Sequence, residues 1–217
     1  MKKQTDQILT ERVAEITRRL RKLYPKARVE LDYGNAFQLM IASILAAQNT
    51  DVNVNKVTPV LFRKYNGPQA FVDADTAELE KDIYTCGFYR QKAKAIQAVS
   101  RMLIEEFGGE MPTTMDEMLR LPGIGRKTAN VVLGEAMDIA SGIVVDTHNL
   151  RLSRLLGISE QKNADKMERE LMQLVPQKDW IKYGQWITWH GRRVCNAKKP
   201  KCGECVLADI CPSRRVE

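Results

Sequence analysis

Leu121-Pro122-Gly123-Ile124-Gly125-Arg126-Lys127-Thr128-Ala129-Asn130 places a tight turn between two helical patterns. Gly123 and Gly125 can take positive φ, and without a Cβ they let another backbone come close. Behind the turn, Ala129, Val132, Leu133 and Ala136 recur at helical spacing, which predicts a helix starting near Arg126. In front of it, Thr114-Met115-Asp116-Glu117 reads as a capping box opening a short helix that carries Met118 and Leu119. The expected unit is helix, hairpin, helix. The first N–H groups of the second helix have no partner within it and form a site for an anion such as a phosphate.

Lys127 falls in the first turn of that helix, at the positive end of its dipole. A free lysine is about 0.04% neutral amine at pH 7. The helix end and partial burial are both expected to raise that nucleophilic fraction. Downstream, Val145-Asp146-Thr147-His148 precedes Leu150, Leu152 and Leu155, so Asp146 is predicted to N-cap a further helix. Taken singly, Lys127 reads as a solvated residue and Asp146 as a plain cap.

The chain has 217 residues, 44% of them hydrophobic, enough for one large or two modest cores. Thirty-four Lys and Arg against 27 Asp and Glu leave a net charge of +7, which suits a polyanion without requiring one. No apolar run approaches the roughly 18 residues of a membrane span. No apolar segment follows the basic start Met1-Lys2-Lys3, so no secretory signal is read. An intracellular, cytoplasmic protein is expected. In a reducing compartment, the crowding of four of the five cysteines between 195 and 211 points to a metal centre rather than to disulfides.

Nearly every segment has helical period, and no strand pair is convincing. Leu9, Val13, Ile16, Leu20 and Leu23 stripe a first helix ended by Pro25; its Arg12, Arg18, Arg19, Arg21 and Lys22 read as a solvated face. Phe37, Met40, Ile41, Ile44 and Leu45 mark a central helix. Asp51 is predicted to cap a third helix, with Gly67-Pro68 closing it. Asp75-Thr76-Ala77-Glu78 caps a fourth, and Cys86-Gly87-Phe88-Tyr89-Arg90 breaks the period before another. Asn163 and Asp179 are expected to cap the last two. The architecture is all-α.

Cys195, Cys202, Cys205 and Cys211 are separated by six, two and five residues. Four thiolates so close in sequence can surround one metal centre, and on spacing alone zinc and iron–sulfur both stand. The loop Asn196-Ala197-Lys198-Lys199-Pro200-Lys201 would hold Lys198, Lys199 and Lys201 ready for phosphate contacts, which add affinity without reading sequence. Arg192 and Arg193 extend that patch. Cys86 reads as a small buried hydrophobe.

The hairpin motif, Val-Asp-Thr-His and the cysteine spacing together resemble the helix-hairpin-helix DNA glycosylases, and among them the endonuclease III family. The resemblance covers about Leu31 to Cys211. It implies two helical domains with the active site in the cleft between them. Residues 29–139 would form a six-helix domain, and 1–28 with 140–217 the other. It implies a C-terminal 4Fe–4S loop on the four cysteines, which staples a tail without a core of its own. It implies a monomeric, nucleoid-associated bacterial enzyme of base excision repair, a bifunctional DNA glycosylase and abasic-site β-lyase. The partner is double-stranded DNA with an oxidised pyrimidine or an abasic site. Lys127 would attack C1′ of the damaged nucleotide with Asp146 assisting.

A base must leave the stack before C1′ can be reached, and the vacated space must be filled. By the same resemblance Gln48 fills the gap and Phe88 wedges beside the orphan base. Phe88 stands where leucine is commoner, and its alternative is a core aromatic. Asn149 stands where an apolar residue is usual. His148 and His190 read as structural. The rivals are a thymine- or adenine-mismatch glycosylase of the same superfamily and a non-catalytic helix-hairpin-helix DNA-binding protein tied by zinc. The adenine enzymes usually lack a lysine at the Lys127 position and carry a further C-terminal domain, whereas this sequence runs six residues past Cys211.

Overall fold

The computed structural model describes residues 2–215, and among them every regular element is a helix. None is long and apolar enough to cross a membrane. The chain divides into one continuous unit, Val29–Ser141, and one built from Met1–Arg28 with Gly142–Glu217.

The first helix, α1 (Lys2–Leu23), belongs to the second of these. The continuous unit holds α2 (Ala36–Ala46), α3 (Asp51–Lys64), α4 (Pro68–Asp73), α5 (Thr76–Asp82), α6 (Tyr89–Phe107), α7 (Met115–Arg120) and α8 (Arg126–Met137). A 3-10 turn, Tyr84–Cys86, lies between α5 and α6. There are thus seven helices rather than the six expected. Gly67-Pro68, taken as a terminator, also opens α4, because a proline at the first helical position gives up an N–H that has no helical partner anyway. Phe71 anchors that short helix and is fully buried.

Helix α2 is apolar on most of its surface and runs through the core. Leu39, Met40, Ile41 and Leu45 are all fully buried, with α3, α6 and α8 packed around them. Asp75 and Thr114 cap α5 and α7 as predicted, accepting from the amides of Glu78 and Glu117. Helix α3 differs by one residue. Thr50, not Asp51, is the cap, accepting from the Asn53 amide at 3.2 Å. Asp51 sits inside the first turn, where its charge still complements the helix dipole. The unit runs on to Ser141 rather than 139, and Ser141 donates to Asn130 Oδ1 at 3.0 Å.

The second unit adds α9 (Thr147–Leu155), α10 (Ala164–Leu174) and α11 (Trp180–Arg193) to α1. Its core joins Val13, Ile16 and Leu20 of α1 to Leu152, Leu171, Tyr183, Ile187 and Leu207. Asn163 caps α10 by accepting from the Lys166 amide. Asp179 stands at the N-cap position of α11, as predicted, but its side chain makes no capping hydrogen bond. A 3-10 turn, Gln177–Asp179, delivers the chain already in near-helical dihedrals, and the Asp179 carboxylate instead accepts from Arg21 at 2.6 Å.

The arginines of α1 are not simply solvated, as their spacing had implied. Arg12 donates to the Ile210 carbonyl at 2.8 Å, and Arg19 donates to the Val206 carbonyl at 2.7 Å and to both oxygens of Asp209. They bind the C-terminal segment to the first helix.

Candidate active site

The turn between α7 and α8 is the predicted hairpin, packed against Ala95 of α6. Its two glycines do different work. Gly123 has φ +78°, in the left-handed region, whereas Gly125 has φ −98° and is extended, contrary to the positive φ allowed for both. An added Cβ on Gly123 would stand 3.9 Å from Ala95 Cβ, an ordinary contact, so alanine there would cost only its backbone strain. Gly123→Ala is expected to destabilise the protein by about 1–2 kcal/mol. Gly125→Ala should cost much less, since its Cβ would meet nothing within 4 Å. Chemical denaturation of both variants checks this, and equal losses would contradict it.

Gly125 is also the N-cap of α8, and no side chain caps that end. Helices α2, α3, α5, α7, α9 and α10 have side-chain caps, whereas α4, α6 and α11, like α8, have none. A capping side chain on α8 would occupy the place where an anion could meet its first amides. Lys127 projects from this turn and is exposed, so the partial burial expected for it is absent. The reason is local. Ala129, Asn130, Val131, Val132 and Leu133 take the buried face of α8 and leave Lys127 outside it.

Asp146 belongs to the other unit, as the N-cap of α9. Both of its oxygens are engaged. Oδ1 accepts from the Asn149 amide at 2.8 Å, and Oδ2 accepts from the Thr188 hydroxyl of α11 at 3.2 Å. Thr188 was not read from the sequence, because only the packing of α11 on α9 brings it there. Asn149 is fully buried and donates to the Gly184 carbonyl at 3.0 Å, so this departure from the usual apolar residue ties α9 to α11. His148 lies against Gly191, where a Cβ would come within 2.8 Å of its ring.

Gln48 and Phe88 return to the continuous unit. Both are exposed, Phe88 by 58%, which removes the core-aromatic reading of Phe88. Both are non-glycine residues in the left-handed region, at φ +53° and +47°. Such backbone costs of order 1–3 kcal/mol and persists only where the surroundings over-determine it. The surroundings here centre on Lys92. It is 6% exposed and donates to the carbonyls of Leu45, Ala47 and Cys86 at 2.8, 2.8 and 2.7 Å. Burial pushes the Lys92 pKa down. Lys92 carries no motif that marks it, although it lies in register with Ile96, Val99 and Leu103 on the buried stripe of α6. Cys86 is buried, as read.

The four clustered cysteines, none of them in a disulfide, line one cavity of about 200 Å³ together with Leu152, Leu156 and Leu207. Four sulfurs bound directly to one zinc ion at about 2.3 Å would close on it and leave little such space. Among the described residues no three His, Cys, Asp or Glu converge on a single-ion site. A soft four-thiolate donor set around a cavity fits a multi-iron cluster. Arg151 donates to Cys195 at its carbonyl (2.6 Å) and, more distantly, its sulfur (3.7 Å). His190 is buried and its pKa is pushed down to about 4, chiefly by desolvation, so the ring is neutral. One ring nitrogen meets the Tyr24 hydroxyl at 3.2 Å and the other Cys205 Sγ at 3.4 Å. Lys198, Lys199 and Lys201 are exposed on the loop between the first two cysteines. Arg193 stacks on Trp189 at 3.8 Å.

Residues 41–177 match the family described as HhH-GPD superfamily base excision DNA repair protein. Residues 195–211, bounded by the first and last clustered cysteines, match the iron–sulfur binding domain of endonuclease III. An endonuclease III of Synechocystis sp. is 51% identical over 203 residues, 94% of this chain and 93% of that protein. The chain belongs to the endonuclease III family. A Bacillus subtilis endonuclease III is 44% identical over 87% of this chain and 86% of its own. A solved endonuclease III, described as a trapped covalent intermediate with DNA in an estranged-adenine complex, aligns with TM-score 0.90. It is 39% identical and covers 94% of this chain and 96% of its own. As a member of the endonuclease III family, the protein is a base excision repair DNA glycosylase with lyase activity and carries a 4Fe–4S cluster. The non-catalytic, zinc-tied reading falls with that membership.

Proposed function

We propose that the protein removes oxidised pyrimidines such as thymine glycol from duplex DNA and nicks the strand at the resulting abasic site, with Lys127 as nucleophile. The observation that carries this is an exposed lysine in the first turn of a helix with no side-chain cap. A cation there opposes the helix dipole, so it does nothing for the fold.

The Lys127 amine attacks C1′ as the bond to the base breaks, and the base leaves with the glycosidic electron pair. Asp146 stabilises positive charge developing at C1′ and helps take the ammonium proton. Its two hydrogen bonds, from Asn149 and Thr188, hold the carboxylate in place. The sugar ring opens to an imine with Lys127. Loss of a C2′ proton then expels the 3′ phosphate, and hydrolysis of the imine frees the lysine.

The uncapped amides of α8, next to Gly123 and Gly125, bind a backbone phosphate of double-stranded DNA, and Lys198, Lys199 and Lys201 add further phosphate contacts. Gln48 fills the space left by the extruded nucleotide and Phe88 wedges beside its former partner. Cys195, Cys202, Cys205 and Cys211 ligate the 4Fe–4S cluster, which holds the tail and those lysines in place. The protein acts as a monomer in the bacterial cytoplasm, at the nucleoid.

Three duplexes test the substrate class: one with thymine glycol, one with a G·T mismatch and one unmodified. Base release with strand nicking is expected on the first alone. Release of thymine from the mismatch, with the glycol duplex untouched, would replace this reading with that of a mismatch thymine glycosylase.

A further inference from the structure

We propose that Lys92 is a positioning residue that sets the spacing of Gln48 and Phe88, a role that rests on their reading as the pair entering the duplex. A single ammonium has three donors. Here all three are used, on Leu45 and Ala47 at the end of α2 and on Cys86 in the turn before α6. Ala47 immediately precedes Gln48, and Cys86 lies two residues before Phe88. The chain has three non-glycine residues at positive φ among those described, and two of them flank this one cation.

Burying an ammonium is costly unless its hydrogen bonds are complete. Helix α2 could have ended on a glycine, the usual left-handed residue at that place, and satisfied its last carbonyls itself. Instead its negative end is satisfied by a side chain from α6, the helix that begins at Tyr89, next to Phe88. The consequence is geometric: neither strained loop can move without breaking a bond to the group that holds the other. Asn53 adds a second tie, donating to Thr85 O at 2.9 Å and to Asn49 Oδ1 at 3.3 Å. An inserted wedge and a gap-filling side chain must enter one duplex in register, so a fixed spacing between them is what insertion requires.

The test is a mutant cycle on the whole, cluster-loaded protein, using Lys92→Met, Phe88→Ala and the double variant. The readout is kcat/KM on a duplex with one thymine glycol, with thermal unfolding measured alongside. Lys92→Met should lower kcat/KM about a hundredfold, the loss expected when positioning slips by about 1 Å. If Lys92 acts through the wedge, the double variant is no worse than the worse single one. A purely structural lysine would lower the active fraction whatever stands at 88, so its loss would multiply with that of Phe88→Ala, and that result overturns the proposal. So does Lys92→Met at the parent's rate. Phe88→Ala at the parent's rate overturns the wedge reading itself, and the proposal with it. If Lys92→Met does not fold, Asn53→Ala replaces it in the same cycle: a loss that is non-additive with Phe88→Ala supports the shared strut, and a multiplied loss or none rejects it.

Discussion

Lys127→Ala is expected to abolish the borohydride-trapped cross-link between protein and abasic DNA while leaving the protein at least as stable as its parent. Borohydride reduces the imine that only an amine nucleophile can form. Without the lysine, strand nicking should fall on the order of a thousandfold or more. Stability should move the other way. Lys127 is exposed in the first turn of α8, where a cation is unfavourable by about 0.3–1 kcal/mol. Alanine removes that repulsion and is the better helix former. Few substitutions destroy an activity and strengthen a fold together, and the combination marks a residue kept for chemistry. Trapping gels and denaturant unfolding read the two halves. A variant that still cross-links would transfer the nucleophile elsewhere. One that unfolds more easily would show that Lys127 has a structural partner.

Cys205→Ser should have the largest effect on the fold. Cys205 reaches His190 and accepts from the Leu207 amide at 3.4 Å, so it ties the cluster to the core. Losing a ligand is expected to remove the cluster's visible absorbance and release the segment that carries Leu207, which is fully buried. Withdrawing one such leucine alone costs about 2–5 kcal/mol. For a unit of this size that lowers Tm by roughly 10 °C or more. The continuous unit has its own core and should unfold as before. Absorbance and calorimetry together check it: a variant that keeps its colour would remove Cys205 from the ligand set, and one that loses colour but not Tm would leave the cluster without a structural role.

Local chemistry was what the sequence exposed well. Asp75, Thr114, Asp146 and Asn163 cap helices because each stands three residues before the amide it serves, a distance visible in the sequence. The hairpin was legible for the same reason, though not the extended φ of Gly125. What depended on distant packing was not. Lys127 was expected to be half-buried, and only the path of α8 shows which of its faces is outside. Arg12 and Arg19 read as solvent-facing until residues about two hundred positions away met them. Lys92 looked like any lysine, although its place on an apolar stripe was a signal available in the sequence. Thr188 left no signal, since nothing in its neighbourhood on the chain involves Asp146. Asp179 marked the start of α11, but not the missing side-chain bond, because a 3-10 turn can precede a helix without changing the composition that suggests a cap.

The pairing of α1 with the C-terminal segment bears on the order in which the molecule is made. Arg12 and Ile210 are separated by 198 residues. At about 5–20 residues per second, the ribosome needs roughly 10–40 s to bring the second to the first. Over that interval Val13, Ile16 and Leu20 have no native cover, while residues 29–141 emerge as an uninterrupted piece able to condense alone. The unit that is begun first is therefore completed last, after residues 195–211 have left the ribosome and their iron has been delivered. Cells short of iron or of cluster-assembly capacity should accumulate chains with one finished half and a sticky amino-terminal helix, a form that proteases and chaperones would meet before DNA does.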